Sequence, residues 1–248
     1  MDKTLAEKLR YLRLWGLLEH WDDWLQEATK RNYSGSRLLT RVIDEEHRIR
    51  TENARQMRLQ RAGIPRPLRI DTFPFTQQPR LDRKKLMAVY DGFDYMTRAR
   101  NVIWIGPTGC GKTGLATAFL LQAIDRGYRG RHVLFSELIA ELYAAVADHT
   151  LQKVYKRYLS YACLLIDEVG YVEVEAEQAG LFFALMQKRH QTHTTLITSN
   201  LGFDDWGGFL KNPHLTAALL DRLTESSHVF NMKRCRSLRK PLEGGASS

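Results

Sequence analysis

One short segment limits what this chain can fold into more than any other. The segment IWIGPTGCGKTGLA, residues 103–116, places a glycine-rich loop between an apolar run and a run of helical character. The loop GPTGCGKT matches the pattern G-x-x-x-x-G-K-[ST], with Gly106, Gly111, Lys112 and Thr113 in the defining positions. A loop of this kind, between a strand and a helix, binds phosphate groups. The segment therefore predicts a phosphate-binding loop in an α/β fold.

The residue types of this loop suit the phosphates of a nucleotide. Glycines let backbone N–H groups curl around a phosphate, and the helix N-terminus adds partial positive charge. We expect Lys112 to reach the outer phosphates and Thr113 to give its hydroxyl to Mg²⁺. The candidate nucleotide-binding residues in the loop and the first helical turn are Gly106, Pro107, Thr108, Gly109, Cys110, Gly111, Lys112, Thr113 and Gly114.

A second apolar run, LLIDEVG at residues 164–170, ends in two adjacent acids. At the end of a strand, Asp167 can hold Mg²⁺, and Glu168 can act as general base towards a water beside the terminal phosphate. Solvated acids that simply end a strand would look the same in isolation. The phosphate loop that precedes them favours the catalytic interpretation.

Two further polar residues are catalytic candidates. Asn200 ends the run TLITSN, where it can orient the attacking water, although an asparagine there is also an ordinary turn residue. Arg222, in the segment DRLTE, is a candidate arginine finger that reaches the nucleotide of a neighbouring subunit. The alternative for Arg222 is a local ion pair with Asp221 or Glu225.

The chain around these motifs has two parts. Short β-rich runs separated by helix-like segments predict a parallel sheet with helices on both faces; they lie at 102–105, 132–135, 163–166, 194–198 and 228–231. The segment before them has helical periodicity from about residue 4 to residue 62. The prolines of GIPRP, residues 63–67, end the last of these helices. We therefore expect a small all-helical domain at 1–64 and a P-loop α/β domain at 65–248.

Two features of the helical part are predicted from single residues. In NYSGS, residues 32–36, the chain leaves one helix, and Ser34 or Ser36 is expected to cap the next. Trp15, Trp21 and Trp24 are expected to form the core of this small domain. The alternative is that these tryptophans form a docking face for a partner protein or a neighbouring subunit.

The charge of the chain favours an anionic partner. The 248 residues carry a formal net charge of +9, and the predicted isoelectric point is about 9.5. No helix-turn-helix, zinc finger or other base-reading motif is visible, so we expect contacts to DNA phosphates with little sequence readout. The candidate DNA-binding residues are Arg80, Arg83, Lys84 and Lys85, and the alternative is the set of arginines from Arg48 to Arg61.

The cysteines and the apolar runs argue against a disulfide-rich, zinc-binding or membrane-spanning protein. The three cysteines, Cys110, Cys163 and Cys235, are far apart and indicate neither a disulfide framework nor a zinc site. No apolar run approaches the ~20 residues of a membrane span, and the N-terminus lacks a signal-peptide pattern. We expect a cytoplasmic protein without membrane contacts.

Five segments, taken in order, resemble the IstB family. These proteins are AAA+ ATPase helpers of transposases in bacterial insertion sequences, and they are similar to DnaC helicase loaders and DnaA initiators. The resemblance runs from about Phe73 to Arg239 and is weaker for the helical N-terminal domain. The segments are GPTGCGKT, LLIDEVGY, FFALMQKRH, TSNLGFDDWG and ALLDRLTESSHVFNMK.

The resemblance implies how such a protein works. ATP would bind between subunits with Mg²⁺, an ATP-dependent homo-oligomer would assemble on duplex DNA, and the assembly would recruit or activate the transposase. Lys112, Thr113, Asp167 and Glu168 match the phosphate loop and the acidic pair of the family. Asn200 matches the first sensor, and Arg222 matches the finger.

The resemblance also points to residues outside these motifs. The family tail ends in a Gly-x-Ser-Tyr-Arg-like sequence, and CRSLR here has Leu238 where tyrosine is usual. CRSLR keeps Ser237 and the final arginine of that ending, so Arg239 is the candidate second sensor, with Arg236 as the alternative. Adenine contacts are expected from the segment before the first strand, which offers Phe73 and Phe75.

Two other functions share most of these features. A helicase loader of the DnaC kind would have the same ATPase core, but its N-terminal helices would grip a hexameric helicase. A nucleotide-dependent adaptor that does not hydrolyse ATP would use the same loop as a structural clamp. The presence of Glu168 and Arg222 argues against the adaptor.

Overall fold

Helices make up the N-terminal part of the chain. The computed structural model describes residues 1–239, and the chain divides into two compact units, Met1–Met57 and a second unit that begins at Arg58. In the first unit lie the helices α1 Lys3–Tyr11, α2 Trp15–Glu19, α3 Trp21–Lys30 and most of α4, Gly35–Ala62. The units separate within α4, whereas the boundary predicted at residue 64 follows the end of that helix.

Contacts within the first unit confirm the predicted cap and correct the predicted core. The hydroxyl of Ser34 accepts a hydrogen bond from the Arg37 backbone N–H, 3.3 Å away, as expected for a residue that caps α4. The tryptophans are not a buried core, because Trp15 is 50% exposed and Trp21 and Trp24 are only partly buried. Instead, α2 packs closely at Gly16 against side chains of α4. A side chain on Gly16 would lie 2.4 Å from the Ile49 side chain.

The predicted strands of the second unit form one parallel sheet. Within residues 1–239 this sheet has five strands in the order β2-β3-β4-β1-β5, and all neighbouring pairs are parallel. The predicted α/β fold is confirmed. The strands are β1 Asn101–Ile105, β2 Gly130–Leu134, β3 Cys163–Val169, β4 Thr194–Ser199 and β5 Ser227–Asn231.

Further helices precede β1 or connect successive strands, and they cover both faces of the sheet. They are α5 Arg83–Gly92, α6 Asp94–Thr97, α7 Lys112–Asp125, α8 Phe135–Ala147, α9 Leu151–Leu159, α10 Ala176–Arg189, α11 Trp206–Phe209 and α12 Pro213–Thr224. Within residues 1–239, none of the helices is long and apolar enough to cross a membrane.

The strands are apolar on both faces, as a sheet covered by helices requires. Because successive side chains point to opposite faces, Ile103 packs in one core cluster and Trp104 in the other, and both are fully buried. Trp104 lies 5.1 Å from the ring of Phe119 on α7 and 5.8 Å from the ring of Phe230 on β5. These contacts fix α7, the helix that begins in the phosphate loop, against the centre of the sheet.

The topology brings the polar motifs to one edge. The phosphate loop follows β1, the acidic pair ends β3, and β4 lies between these two strands. Parallel strands have their carboxyl ends at the same edge, which is where open α/β sheets bind ligands. The parallel pairing therefore gathers residues that are about 60 to 90 positions apart in the sequence.

Candidate functional site

The phosphate loop has the backbone that its glycines predicted. Gly109 and Gly111 have φ angles of +82° and +99°, in the left-handed region that side chains disfavour. At Gly106 the requirement is space, because a Cβ there would lie 2.8 Å from the Met232 backbone. The loop then leads directly into α7 at Lys112, so its backbone N–H groups surround a helix N-terminus.

Lys112 places a buried positive charge in this loop. Its side-chain Nζ donates hydrogen bonds to the carbonyl oxygens of Gly106, at 2.7 Å, and Pro107, at 2.8 Å. An ammonium group has three donors, so one remains for another acceptor. Burial lowers the pKa of Lys112, while the nearby carboxylates of Asp167 and Glu168 act in the opposite direction. Within residues 1–239, no carboxylate lies within 4.0 Å of this ammonium, which makes an anionic ligand a favourable partner.

Asp167 is the second buried charge, and three elements supply donors to it. Its carboxylate accepts from Thr113 of α7 at 3.0 Å, lies 3.3 Å from His132 Nε2 of β2, and accepts a short hydrogen bond from Thr198 of β4. Burial opposes ionisation, but the bonds from His132, Thr198 and Thr113 outweigh it and lower the pKa of Asp167 below its ordinary value. The carboxylate is therefore held as an anion beside the loop.

Glu168 is exposed, whereas its neighbour Asp167 is buried, and the backbone of β3 is irregular at this point. The pairing of β3 with β4 shifts register between Ile166 and Val169, and Glu168 has a φ of +62°. Its backbone N–H donates to Thr198 Oγ1 at 3.0 Å, and its side chain is exposed. A strained residue of this kind needs surrounding support, which the Thr198 hydroxyl supplies.

Loop and acids share one cleft of about 510 Å³. Tyr171, which follows the acidic pair, also lines it, with its hydroxyl 2.7 Å from the Thr108 hydroxyl of the loop. The lining residues are Pro65, Arg66, Pro67, Leu68, Thr108, Gly109, Gly111, Lys112, Thr113, Gly114, Thr117, His132, Leu134, Asp167, Glu168, Tyr171, Thr198 and Arg239. The cleft therefore contains the predicted phosphate, metal and general-base residues together.

The tail of the described chain lies against the phosphate loop. Gln78 Nε2 donates to the carbonyl oxygens of Cys110, at 3.0 Å, and Arg236, at 2.6 Å, and the Leu238 N–H donates to the Gly109 carbonyl at 2.8 Å. These bonds carry Arg239 to the cleft that it lines. Of the two second-sensor candidates, Arg239 is the one at the cleft.

Two predicted catalytic residues lie outside this cleft. Asn200 follows β4, and its amide oxygen is buried without a hydrogen-bond partner among residues 1–239. Arg222 donates to the Ala218 carbonyl at 2.9 Å, and its guanidinium lies 5.2 Å from the centre of the Phe183 ring. In the described chain, these contacts replace the local ion pair that was the alternative for Arg222. The sensor and finger assignments stay predictions.

The aromatic residues expected near adenine are also outside the cleft. Phe73 is 4% exposed and packs against the loop at Gly111, and Phe75 meets it edge to face with ring centres 4.9 Å apart. The cleft is lined instead by residues 65–68, of which Leu68 packs near Gly114 in the first turn of α7; a Cβ there would lie 3.4 Å from the Leu68 side chain.

The four candidate DNA-binding residues are exposed at the start of α5. Asp82 caps this helix by accepting from the Lys85 N–H at 2.9 Å. Arg83 lies over the Phe75 ring, 4.9 Å from its centre, and Lys85 lies over the Phe230 ring, 5.7 Å from its centre. Arg80 and Lys84 are exposed beside them.

Comparison with known sequences matches almost the whole chain to one family. Residues 7–243 match the family described as IstB-like ATP binding protein. The chain belongs to this family. It is 35% identical to a Pseudomonas aeruginosa protein of insertion sequence IS21, over 91% of this chain and 84% of the other. It is 30% identical to a Geobacillus stearothermophilus protein of insertion sequence IS5376, over 94% and 92% of the two chains. Both relatives are described as ATP-binding proteins.

Solved structures show the same fold at lower sequence identity. DnaA from Aquifex aeolicus, bound to AMPPCP, has a TM-score of 0.57 and 17% identity, and the match covers 71% of this chain and 53% of that one. The DnaC helicase loader has a TM-score of 0.53 and 20% identity, over 74% of this chain and 99% of that one. The second unit of this IstB-family chain therefore has the AAA+ fold.

Two residues at the site were missed by reasoning from sequence. Thr198 and His132 lie within apolar strands, and nothing in those runs marks them as polar partners of Asp167. A signal for Thr198 was its place near the end of the run TLITSN, because the carboxyl ends of parallel strands are where open α/β sheets bind ligands.

We expect Thr198→Val to destabilise the protein. The change removes the donor to Asp167 and the acceptor of the Glu168 N–H while conserving shape, so the free energy of unfolding should fall by about 1–3 kcal/mol at pH 7. Because the folded pKa of Asp167 is lowered, the stabilisation from its carboxylate is present above the unfolded pKa and is lost as the pH falls through the folded pKa.

Urea denaturation at pH 7 and at successively lower pH measures this effect. The difference between wild type and Thr198→Val should shrink towards acid pH, and Thr198→Ser, which keeps the hydroxyl, should stay near wild type. A difference that is the same at every pH would show that the hydroxyl does not act through the Asp167 carboxylate.

Proposed function

We propose that this chain is an ATP-dependent, sequence-nonspecific DNA-binding ATPase. In this proposal it assembles on target DNA and recruits or activates a transposase during insertion-sequence transposition. The observation that carries the proposal is the hydrogen bond from Thr113 to Asp167, which joins the phosphate loop to the acidic pair at one edge of the sheet. Membership of the IstB family, and the insertion sequences named for its relatives, support a role in transposition.

The residues at the cleft fit ATP and Mg²⁺. The buried Lys112 ammonium has one donor left and no carboxylate within 4.0 Å among residues 1–239, so a phosphate oxygen would complete its surroundings. The Thr113 hydroxyl and the ionised Asp167 carboxylate are hard oxygen donors of the kind that Mg²⁺ takes together with phosphates. When bound, Mg²⁺-ATP supplies a phosphoryl group whose charge the ion partly neutralises.

Glu168 is the residue that would take the proton in hydrolysis. Its carboxylate is exposed at the cleft, while the neighbouring Asp167 carboxylate is buried and committed to three donors. Asp167 is buried and Glu168 is exposed, so one acid can hold the metal and the other can receive a proton from water at a side-chain oxygen. Thr198 positions both, since its hydroxyl contacts each residue.

Arg222 would complete the site of a neighbouring subunit. It lies near the end of α12, it is half-buried, and it does not line the cleft of its own chain. A cation supplied by a neighbour stabilises the transition state of phosphoryl transfer by a factor of about 10³–10⁵ in rate. Hydrolysis would therefore depend on assembly, and ATP bound between subunits would favour that assembly.

DNA would be held through its phosphates. The exposed cations Arg80, Arg83, Lys84 and Lys85 lie together at the start of α5, and phosphate contacts give affinity without reading sequence. Binding of this kind suits a protein that selects target DNA of many sequences.

We expect ATP hydrolysis by the wild-type protein to be stimulated by duplex DNA and to depend on Glu168. Glu168→Gln removes the proton acceptor but keeps the shape, so turnover should fall by about 10²-fold or more. The same variant should hold ATP in a large complex on DNA. Phosphate release and size-exclusion chromatography with light scattering measure the two effects.

Glu177→Gln, at an exposed position in the first turn of α10, is the matched control and should hydrolyse ATP like wild type. Nucleotide binding without any phosphate release, with or without DNA, would contradict the ATPase and favour the adaptor. Assembly and turnover that require a replicative helicase, with no response to the transposase, would favour the loader.

Mixing two inactive variants tests whether Arg222 acts between subunits. Lys112→Ala loses the phosphate contact but keeps the finger, and Arg222→Ala keeps the cleft but loses the finger. Alone, each should be inactive, whereas a mixture should regain part of the DNA-stimulated ATPase rate because some clefts face an intact arginine.

The control for this experiment is a mixture of Lys112→Ala with the double variant Lys112→Ala/Arg222→Ala. It contains no intact cleft and should stay inactive. Wild-type turnover by Arg222→Ala alone, or no recovery in a mixture that still forms oligomers, would contradict the finger assignment.

A further inference from the structure

A second cavity of about 510 Å³ lies in the AAA+ unit, and it shares no lining residue with the cleft at the phosphate loop. Half of the residues around it are arginines. They are brought together from two stretches that are about 70 positions apart in the sequence, as the bond between Arg131 and Arg61 shows. The four arginines are Arg58, Arg61, Arg129 and Arg131, and Tyr161 also lines the cavity. We refer to this cavity as the four-arginine cavity.

Contacts within the unit fix the position of two of these arginines, Arg131 and Arg129. Arg131 Nη1 donates to the Arg61 carbonyl at 3.1 Å, so the guanidinium caps the C-terminal end of α4. Gly63, with a φ of +65°, allows this approach, because a Cβ there would lie 2.9 Å from the same nitrogen. Arg129 extends over the Tyr161 ring, 5.6 Å from its centre. The fold therefore holds at least these two guanidinium groups at the cavity.

The positive charge of the four-arginine cavity is not neutralised by acidic side chains. Within residues 1–239, no carboxylate lies within 4.0 Å of any of its four guanidinium groups. Arg58 Nε is buried and has no hydrogen-bond partner in that part of the chain. Glu141, which senses the charge of Arg131, is already paired with Arg157 and Tyr158. The C-terminal end of α4 offers only about half a negative charge.

We propose that the four-arginine cavity binds phosphate groups of the duplex DNA backbone. Guanidinium groups match phosphate oxygens with two parallel N–H donors, and an unpaired buried donor such as Arg58 Nε gains most from such an acceptor. Four like charges also repel one another, so a polyanion that contacts several of them relieves that repulsion. This inference rests on the proposed DNA-binding function and assigns it a contact site separate from the start of α5.

The test compares two double variants that remove the same charge. Arg61→Gln/Arg129→Gln neutralises two exposed arginines of the cavity and leaves Arg131, which caps α4, intact. Arg98→Gln/Lys156→Gln neutralises two exposed cations that do not line the cavity. Binding of a labelled mixed-sequence duplex is measured by fluorescence anisotropy at several salt concentrations, with a non-hydrolysable ATP analogue present.

We expect the cavity variant to bind duplex DNA more weakly and to lose about 2 from the slope of log Kobs against log salt concentration, since each lost phosphate contact removes about 1. The control variant should keep the wild-type slope. Equal slopes in both variants and wild type, with wild-type binding intact, would overturn the cavity assignment while leaving the proposed function in place.

A second arm distinguishes DNA from free phosphate. Sodium phosphate is titrated into wild type and into the cavity variant by calorimetry. Phosphate binding that the cavity changes abolish, together with an unchanged DNA slope, would make this a free-phosphate site and overturn the assignment to DNA. A wild-type protein that binds no duplex at any salt concentration would contradict both the proposed function and this inference.

Discussion

The site depends on one buried carboxylate. Asp167 is 2% exposed, and removing a charge from water is unfavourable unless other groups replace the lost hydration. Three elements supply those groups, with Thr113 from α7, His132 from β2 and Thr198 from β4. The donors reach Asp167 because β3 lies between β2 and β4 in the sheet. The phosphate loop is also near, because it follows β1, the strand on the other side of β4. The order of the strands in the sheet therefore determines the geometry of the site.

Lys112 is buried and positively charged, and its position also depends on the fold. Lys112 donates to two carbonyl oxygens of its own loop, and that loop keeps its shape because Gly106 leaves room for the Met232 backbone after β5. The two charges, each held by hydrogen bonds, line a cleft whose other acid, Glu168, stays exposed. The proposed roles of anion binding, metal binding and proton acceptance therefore fall to different residues of one cleft.

The sequence was sufficient for the parts of the structure that local chemistry specifies. The loop GPTGCGKT, the acids of LLIDEVG and the five short β-rich runs are each determined by residue type and spacing, and all were found where predicted. Thr198 and His132 could not be predicted in their roles, because a polar residue inside an apolar strand acquires a partner only when neighbouring strands pair. For the same reason the four-arginine cavity could not be predicted from sequence, because Arg61 and Arg131 come into contact only when the chain folds.

One sequence interpretation failed for a physical reason. Trp15 was expected in a core, but the short helices of the first unit pack through the small Gly16 instead, and the indole remains half exposed. Large aromatic residues usually indicate a core, yet a close approach of helices needs small residues at the contact. The exposed Trp15 leaves the docking face as the open alternative for this unit.

Binding of a fluorescent ATP analogue, titrated with and without Mg²⁺, tests most directly whether the loop and Asp167 form one nucleotide site. Wild type should bind the analogue more tightly with Mg²⁺ than with EDTA. Asp167→Asn should lose this metal dependence, and Lys112→Ala should lose most of the binding in either condition. Equal affinity with Mg²⁺ and EDTA in wild type, or undiminished binding by Lys112→Ala, would contradict the assignment of the cleft.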